Sequence, residues 1–236
     1  MGIVLTDRVG PRMRHTLSGA PCMPQVVARP DGGPSPGTST SRLDVCTPNL
    51  RVGVVAPLPA ALLADLRTDH AGESGAVMIY RGILAVTRDA GLRHFAQAHL
   101  ATESGHLARI EALLAPQQRS RLLPLWRIAG WLTGALPALI GPRAVYATIE
   151  AVETFVDQHY AEQIDWIDRH DPGGKQVPLQ ALRVLLQTCR ADEIAHRDEA
   201  ATLFARSGKP ASLARRVWVW SVGAGSRVAV KICRWL

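Results

Sequence analysis

A chain of 236 residues with 47% apolar content is long enough to bury a core without disulfide or metal staples. Its four cysteines, Cys22, Cys46, Cys189 and Cys233, lie far apart with no C-x-x-C pair, which excludes a zinc finger or a disulfide framework and fits a reducing compartment. The formal charge of +7 comes largely from arginine, and Arg215, Arg216, Arg227, Lys231 and Arg234 alternate with Trp218, Val219, Trp220, Val228, Val230 and Ile232. That interleaving speaks against a nucleic-acid surface and for a helix lying in a membrane interface.

Residues 1–55 are rich in Gly, Pro, Ser and Thr, contain no Glu and show no apolar period, so a disordered leader is expected there. Its arginines and few acids leave a mitochondrial targeting segment or a misplaced start codon as alternatives, although the prolines and glycines break any continuous amphipathic helix. Residues 56–236 form the domain. Apolar positions at Leu62, Leu63, Leu66, Val77, Ile79 and Leu84 predict a first helix over 59–88, and Gly91 opens a second that reaches about 114. A polar break follows at 116–121. Residues 122–140 (LLPLWRIAGWLTGALPALI) are strongly apolar, but Arg127 and Pro137 interrupt them, so the expectation is a hairpin-like or in-plane segment beside lipid, with a buried core helix as the competing placement. Pro142 opens a third long helix to about 169, and the loop 171–178 (DPGGKQVP) closes it. A fourth covers 179–206 and ends at Ser207-Gly208-Lys209-Pro210, and a fifth fills 213–235. No useful length carries the two-residue period of a strand, so the class is all-α.

Two copies of one word, Glu103-x-x-His106 and Glu193-x-x-His196, stand 90 positions apart in a chain with eight Glu and eight His. Chance supplies about 0.3 such words, so two copies are informative. Residues three apart share a helix face, and each word therefore aims a carboxylate and an imidazole at one point. Oxygen and nitrogen donors without thiolate suit iron or manganese, and helix bundles build two-metal sites from two such words plus one Glu from each of two other helices. The first helix offers only Glu73. On the third, Glu153 lies among Ile149, Val152 and Val156, with Glu150 as the fallback and Glu162 in a more polar turn. Gly72 and Gly105, beside these positions, are expected to let helices approach closely. Asp192, Asp157 and Asp69 are the expected acceptors for the second nitrogen of each histidine, and His70 is expected to support a ligand from behind without being one.

Asp69-His70-Ala71-Gly72-Glu73, Ile79-Tyr80-Arg81-Gly82, Glu103-x-x-His106, Pro124-Leu125-Trp126, Ala151-Val152-Glu153, His159-Tyr160, Asp192-Glu193-x-x-His196 and the closing Ser226-Arg227-Val228-Ala229 together resemble the demethoxyubiquinone hydroxylase family of ubiquinone biosynthesis, over about residues 64–236. The resemblance implies a ferritin-like four-helix di-iron bundle with additional apolar or interfacial helices. It also implies O2-dependent hydroxylation of the ring of a polyprenyl demethoxyubiquinol. Motif matching gives Glu73, Glu103, His106, Glu153, Glu193 and His196 as ligands of two iron ions, with O2 as co-substrate and NADH or the quinol itself as reductant. The family comparison also assigns His159 and Tyr160 to a catalytic route for electrons or protons. Its implied partners are the polyprenyl quinol, the membrane lipid surface, an accessory lipid-binding protein, other enzymes of the pathway and a second copy of the chain. The implied location is peripheral, on the cytoplasmic face of the bacterial inner membrane or, alternatively, the matrix face of the mitochondrial inner membrane. The chain departs from the family pattern at Gln158, where a His is common, at Ser74, where a bulkier residue is common, and in its leader. A ferritin-like oxidase or iron-handling membrane protein with no quinone substrate is the alternative reading.

Overall fold

The structure, a computed structural model, describes residues 58–206 and 213–235. The expected leader and the turn at 207–210 lie outside the described residues. Six α-helices form the chain between these limits: α1 (Ala60–Val86), α2 (Ala90–Glu111), α3 (Leu123–Ile140), α4 (Pro142–His170), α5 (Val177–Ala205) and α6 (Leu213–Trp235). No strand occurs among the described residues. The fold is all-α and ferritin-like. α1 pairs with α2 and α4 with α5 to make the four-helix bundle, while α3 lies along α1 and α6 lies across α4 and α1.

Local chemistry sets the helix ends. The Asp89 carboxylate caps α2 by accepting the Leu92 N–H at 2.7 Å. Pro124, Pro142 and Pro178 each occupy the first turn of α3, α4 and α5, where no amide hydrogen is needed. The reversal from α3 to α4 takes place at Gly141 (φ 133°), a conformation that L side chains rarely adopt. The loop expected over 171–178 is shorter than that, because Asp171 gathers it: its carboxylate accepts the Lys175 and Gln176 amides at 2.9 and 3.1 Å and the Gln180 side chain at 2.8 Å. α5 can then begin at Val177.

Two apolar clusters fill the bundle, one at each end. Leu62, Leu66, Ile110, Ile164, Ile167, Leu182 and Leu186 pack at one, and Tyr80, Ile83, Leu92, Phe95, Val145 and Ile149 at the other. A band of buried carboxylates and histidines is left between them. Whatever sits in that band is shielded from water along both directions of the bundle axis.

The apolar run 122–140 is one continuous helix and not the expected hairpin-like segment. Pro137 is accommodated within it, and small residues fix its path. A methyl group on Gly130 would meet the Gly75 carbonyl, on Gly134 the Ile79 carbonyl, and on Gly82 the Trp131 carbonyl. The close approach is thus between α1 and α3. Gly72 and Gly105, expected to serve this purpose, have no neighbouring helix backbone within reach. Ile128, Leu136, Leu139 and Ile140 project outward from α3, and by length and composition α3 is apolar enough to cross a membrane. Gly134→Ala is expected to destabilise the fold by about 1–3 kcal/mol through overpacking. Gly225→Ala, where a methyl group meets open space, is expected to be neutral or stabilising by up to about 1 kcal/mol. Denaturant unfolding of the two variants measures the difference.

Candidate metal centre

Each of the four bundle helices delivers carboxylate or imidazole to one buried point. Glu73 comes from α1, Glu103 and His106 from α2, Glu153 from α4, and Glu193 and His196 from α5, all six being buried. They form two overlapping groups, Glu73–Glu103–His106–Glu193 and Glu103–Glu153–Glu193–His196, within each of which one donor atom per residue lies within 4.8 Å of the others. Glu103 and Glu193 belong to both groups, so both would be within reach of either ion. Glu150, the fallback, and His70 lie outside both groups.

The electrostatics of the cluster call for cations. Burial, reinforced by the Glu103 and Glu193 carboxylates, pushes the Glu73 carboxyl well above its ordinary range, and burial with Glu193 and Glu103 does the same to Glu153. Burial would also raise Glu103, but the His106 and His196 imidazoles beside it hold it at about 2. Burial works to lower both imidazoles. The Glu103 and Glu193 carboxylates overcome it, lifting His106 to about 12 and His196 to about 9. Protons on the carboxyls and imidazoles are thus the balancing charge of the bare cluster. His196 Nδ1 stands 3.0 Å from Glu103 Oε1, yet neither atom has an aligned hydrogen-bond partner, and Glu73 Oε2 has none either. Side chains so oriented point at a shared third position more than at each other. The donor set, four carboxylates and two imidazoles with no thiolate, fits two iron or manganese ions.

The surrounding side chains are arranged with near two-fold regularity. Tyr160 on α4 donates to Glu73 on α1, and Tyr80 on α1 donates to Glu153 on α4 at 3.1 Å. Each tyrosine stands seven residues after a cluster glutamate of its own helix. His106 Nδ1 lies 3.0 Å from Glu193, mirroring His196 against Glu103, and its Nε2 is held by Asp192 at 3.0 Å. Of the three aspartates expected to hold histidines, Asp192 alone is seen against a cluster imidazole. Asp157 instead pairs with Arg190 and Arg197, both at 2.7 Å, and Asp69 accepts from Gln163 at 2.8 Å and faces His159 Nε2 at 3.1 Å. His159 and Tyr160, though adjacent in the chain, therefore have different partners, the tyrosine touching the cluster and the histidine touching Asp69. Tyr80 and His99 were not anticipated as site residues. The repeated Glu-x6-Tyr spacing, 73/80 and 153/160, is the signal that would have found Tyr80; His99 carries no sequence signal.

A cavity of about 460 Å³ reaches the cluster from one side. α1 and α4 form its floor and α3 and α6 its walls, with Ala76, Ile79, Ala129, Val152, Val222, Ala229 and Val230 giving it an apolar surface. Glu73, Glu103, Glu153 and Glu193 all line its inner end, and His159 and Tyr160 flank it.

The model of one protein family, described as Ubiquinone biosynthesis protein COQ7, matches residues 60–233. The chain belongs to this family. It is 43% identical over 150 residues to the 3-demethoxyubiquinol 3-hydroxylase of Rhodospirillum rubrum, covering 60% of this chain and 65% of that one. The mitochondrial NADPH-dependent 3-demethoxyubiquinone 3-hydroxylase of Mus musculus is 35% identical over 141 residues, 59% of this chain and 63% of its own. The mitochondrial 5-demethoxyubiquinone hydroxylase of Saccharomyces cerevisiae is 32% identical over 147 residues, 57% and 63% respectively. The chain thus spans just under two thirds of the length of these curated relatives.

Because metal must displace the protons held by Glu73, Glu153, His106 and His196, uptake by this COQ7-family chain is expected to release protons and to tighten as pH rises. The sign follows from raised pKa values, since each such group is protonated below its pKa and competes with the ion there. Titrating Mn(II) into weakly buffered metal-free protein with a pH indicator checks it; an affinity that stays constant as pH rises from neutral to about 9, where His196 loses its proton, would contradict it.

Proposed function

We propose that this chain is an O2-dependent di-iron monooxygenase that hydroxylates the ring of a polyprenyl demethoxyubiquinol in ubiquinone biosynthesis. The observation that carries the reading is a buried centre of four glutamates and two histidines at the inner end of an apolar cavity. An iron store or oxidase without an organic substrate has no use for such a cavity, whereas a quinol ring with an isoprenoid tail needs one. The names of the bacterial, mouse and yeast relatives support the same substrate.

Glu73, Glu103, His106, Glu153, Glu193 and His196 would hold the two ions, with Glu103 and Glu193 shared. When bound, two iron ions supply the reductive activation of O2 and delivery of one oxygen atom to a ring carbon, the other leaving as water with two electrons and two protons. The residues of the chain do the rest. Tyr160 and Tyr80 fix the outer oxygens of Glu73 and Glu153. The apolar walls exclude water, which strengthens every charge interaction inside. His159, beside the cavity and paired with Asp69, is placed to hold or pass a proton of the quinol, and Tyr160 connects that neighbourhood to Glu73. The relative from mouse is named NADPH-dependent, so NADPH joins NADH and the quinol as a source of the electrons.

The outward faces of α3 and α6 support a peripheral membrane location, with Leu139 70% and Trp220 68% exposed among them. Leaving the bilayer would cost a prenyl tail about 0.8 kcal/mol per CH₂, so the cavity between these helices would take the ring while the tail stays in lipid. We assign the cytoplasmic face of a bacterial inner membrane, or the matrix face in an organelle, with an accessory lipid-binding protein, other enzymes of the pathway and a second copy of the chain as partners on the exposed surfaces.

Quinone profiling by mass spectrometry in cells lacking this protein tests the reading. Accumulation of demethoxyubiquinone is expected, relieved by the wild-type chain and not by Glu193→Ala. Normal ubiquinone without the protein would sink the hydroxylase and leave iron handling as the function.

A further inference from the structure

The two halves of the centre repeat each other at the Glu-x-x-His donors and differ in the residues around them. Positions 103 and 193, 106 and 196, and 99 and 189 are each related by 90 residues, yet the last pair is His99 against Cys189. Cys189 lies in the apolar cluster beside Tyr160. His99, equally buried, is polar and fully engaged: Nδ1 lies 3.1 Å from the Tyr80 hydroxyl and Nε2 lies 2.9 Å from Glu199 Oε2. Its ring stacks on His196 with centroids 3.9 Å apart and planes 21° from parallel, and Phe95 backs its other side at 4.0 Å. Tyr80 in turn donates to Glu153. His106 has its own carboxylate in Asp192, whereas the support seen for His196 is the ring of His99.

We propose that His99, anchored at the surface by Glu199, is a positioning residue for one half of the metal centre, fixing Glu153 through Tyr80 and His196 by stacking. The two residues it governs, Glu153 and His196, are the two that distinguish the second group of donors from the first. The ions are therefore held by two different devices, Asp192 behind one imidazole and the Glu199–His99 pair behind the other. Glu199 faces Nε2 from the surface, so the orientation of the imidazole toward Tyr80 is fixed from outside the bundle. The inference rests on the metal centre proposed above and is separable from its quinone chemistry.

Co(II) titration of the metal-free full-length chain, followed by calorimetry and absorption, tests it. Wild type is expected to take two ions in two resolvable steps. His99→Leu should weaken one step by roughly 10- to 100-fold, the usual effect of removing an outer partner of a ligand, and spare the other. Because His99 is buried and its loss could unfold the chain, Glu199→Ala at the surface provides a second variant. It should weaken the same step to a smaller degree, and Glu199→Gln, whose amide can still hydrogen-bond Nε2, should restore it. Asp192→Ala should weaken the other step, and Cys189→Ala neither. Equal loss of both ions in His99→Leu and Glu199→Ala, or unchanged affinities despite a lower Tm, would reduce His99 to core packing and overturn the inference. Failure of wild type to bind two ions would overturn the metal centre itself, whereas two-step binding without any quinone phenotype would remove only the proposed substrate.

Discussion

Four glutamates gathered into two overlapping clusters in a dry interior disfavour one another's negative charge, and that repulsion governs how the rest of the molecule is arranged. Removing an ion from water costs several kcal/mol even after relaxation, so Glu73, Glu103, Glu153 and Glu193 are tolerable only with compensating positive charge. His106 and His196 supply part of it by holding protons they would otherwise lose. Tyr80, Tyr160 and Asp192 then tie down Glu153, one oxygen of Glu73 and His106. The two apolar clusters above and below do not merely stabilise the bundle; they set the low dielectric in which the cluster demands cations.

The four bundle helices alone would leave this cluster without a walled approach. A cluster sealed on all sides would hold metal but admit no organic molecule. α3 and α6, which contribute nothing to the cluster, open one side of it along an apolar channel. The glycine contacts between α1 and α3 permit a close, stiff crossing on one wall. α6 is held on the other by Trp218, which donates to Thr148 at 2.7 Å, and by Arg234, paired with Asp65 at 2.7 Å. Between those anchors Ser221, Gly225 and Ser226 put little bulk against the cavity.

Much of the centre was legible in the residues because its chemistry is written locally. A Glu and a His three apart on a helix face the same way in any fold, so the two repeated words identified four of the six donors. Glu73 followed from being the lone glutamate of its helix, and Glu153 from its apolar neighbours. Helix existence and limits followed for a similar reason, since the apolar period, Pro142 and the Ser207-Gly208-Lys209-Pro210 stop act within one or two turns. Errors fell where long-range contact decides. Asp157 and Asp69 were plausible partners for histidines by type and nearness in sequence, but arginines on α5 claim one and His159 with Gln163 the other.

The sequence by itself determined the class of the fold, the donor chemistry and the presence of two apolar or amphipathic stretches outside the bundle, because each depends on residue type and on spacings shorter than two helical turns. Only the tertiary structure decided that Glu103 and Glu193 are shared between the two groups, that each tyrosine serves the glutamate of the opposite helix, and that α3 runs unbroken along α1. It alone revealed His99, whose meaning depends on Glu199 a hundred residues away and on His196 stacked against it. Hydrogen bonds and ring stacking between helices depend on how the helices are rotated and crossed, and that is fixed by packing of the whole bundle, which no local spacing encodes.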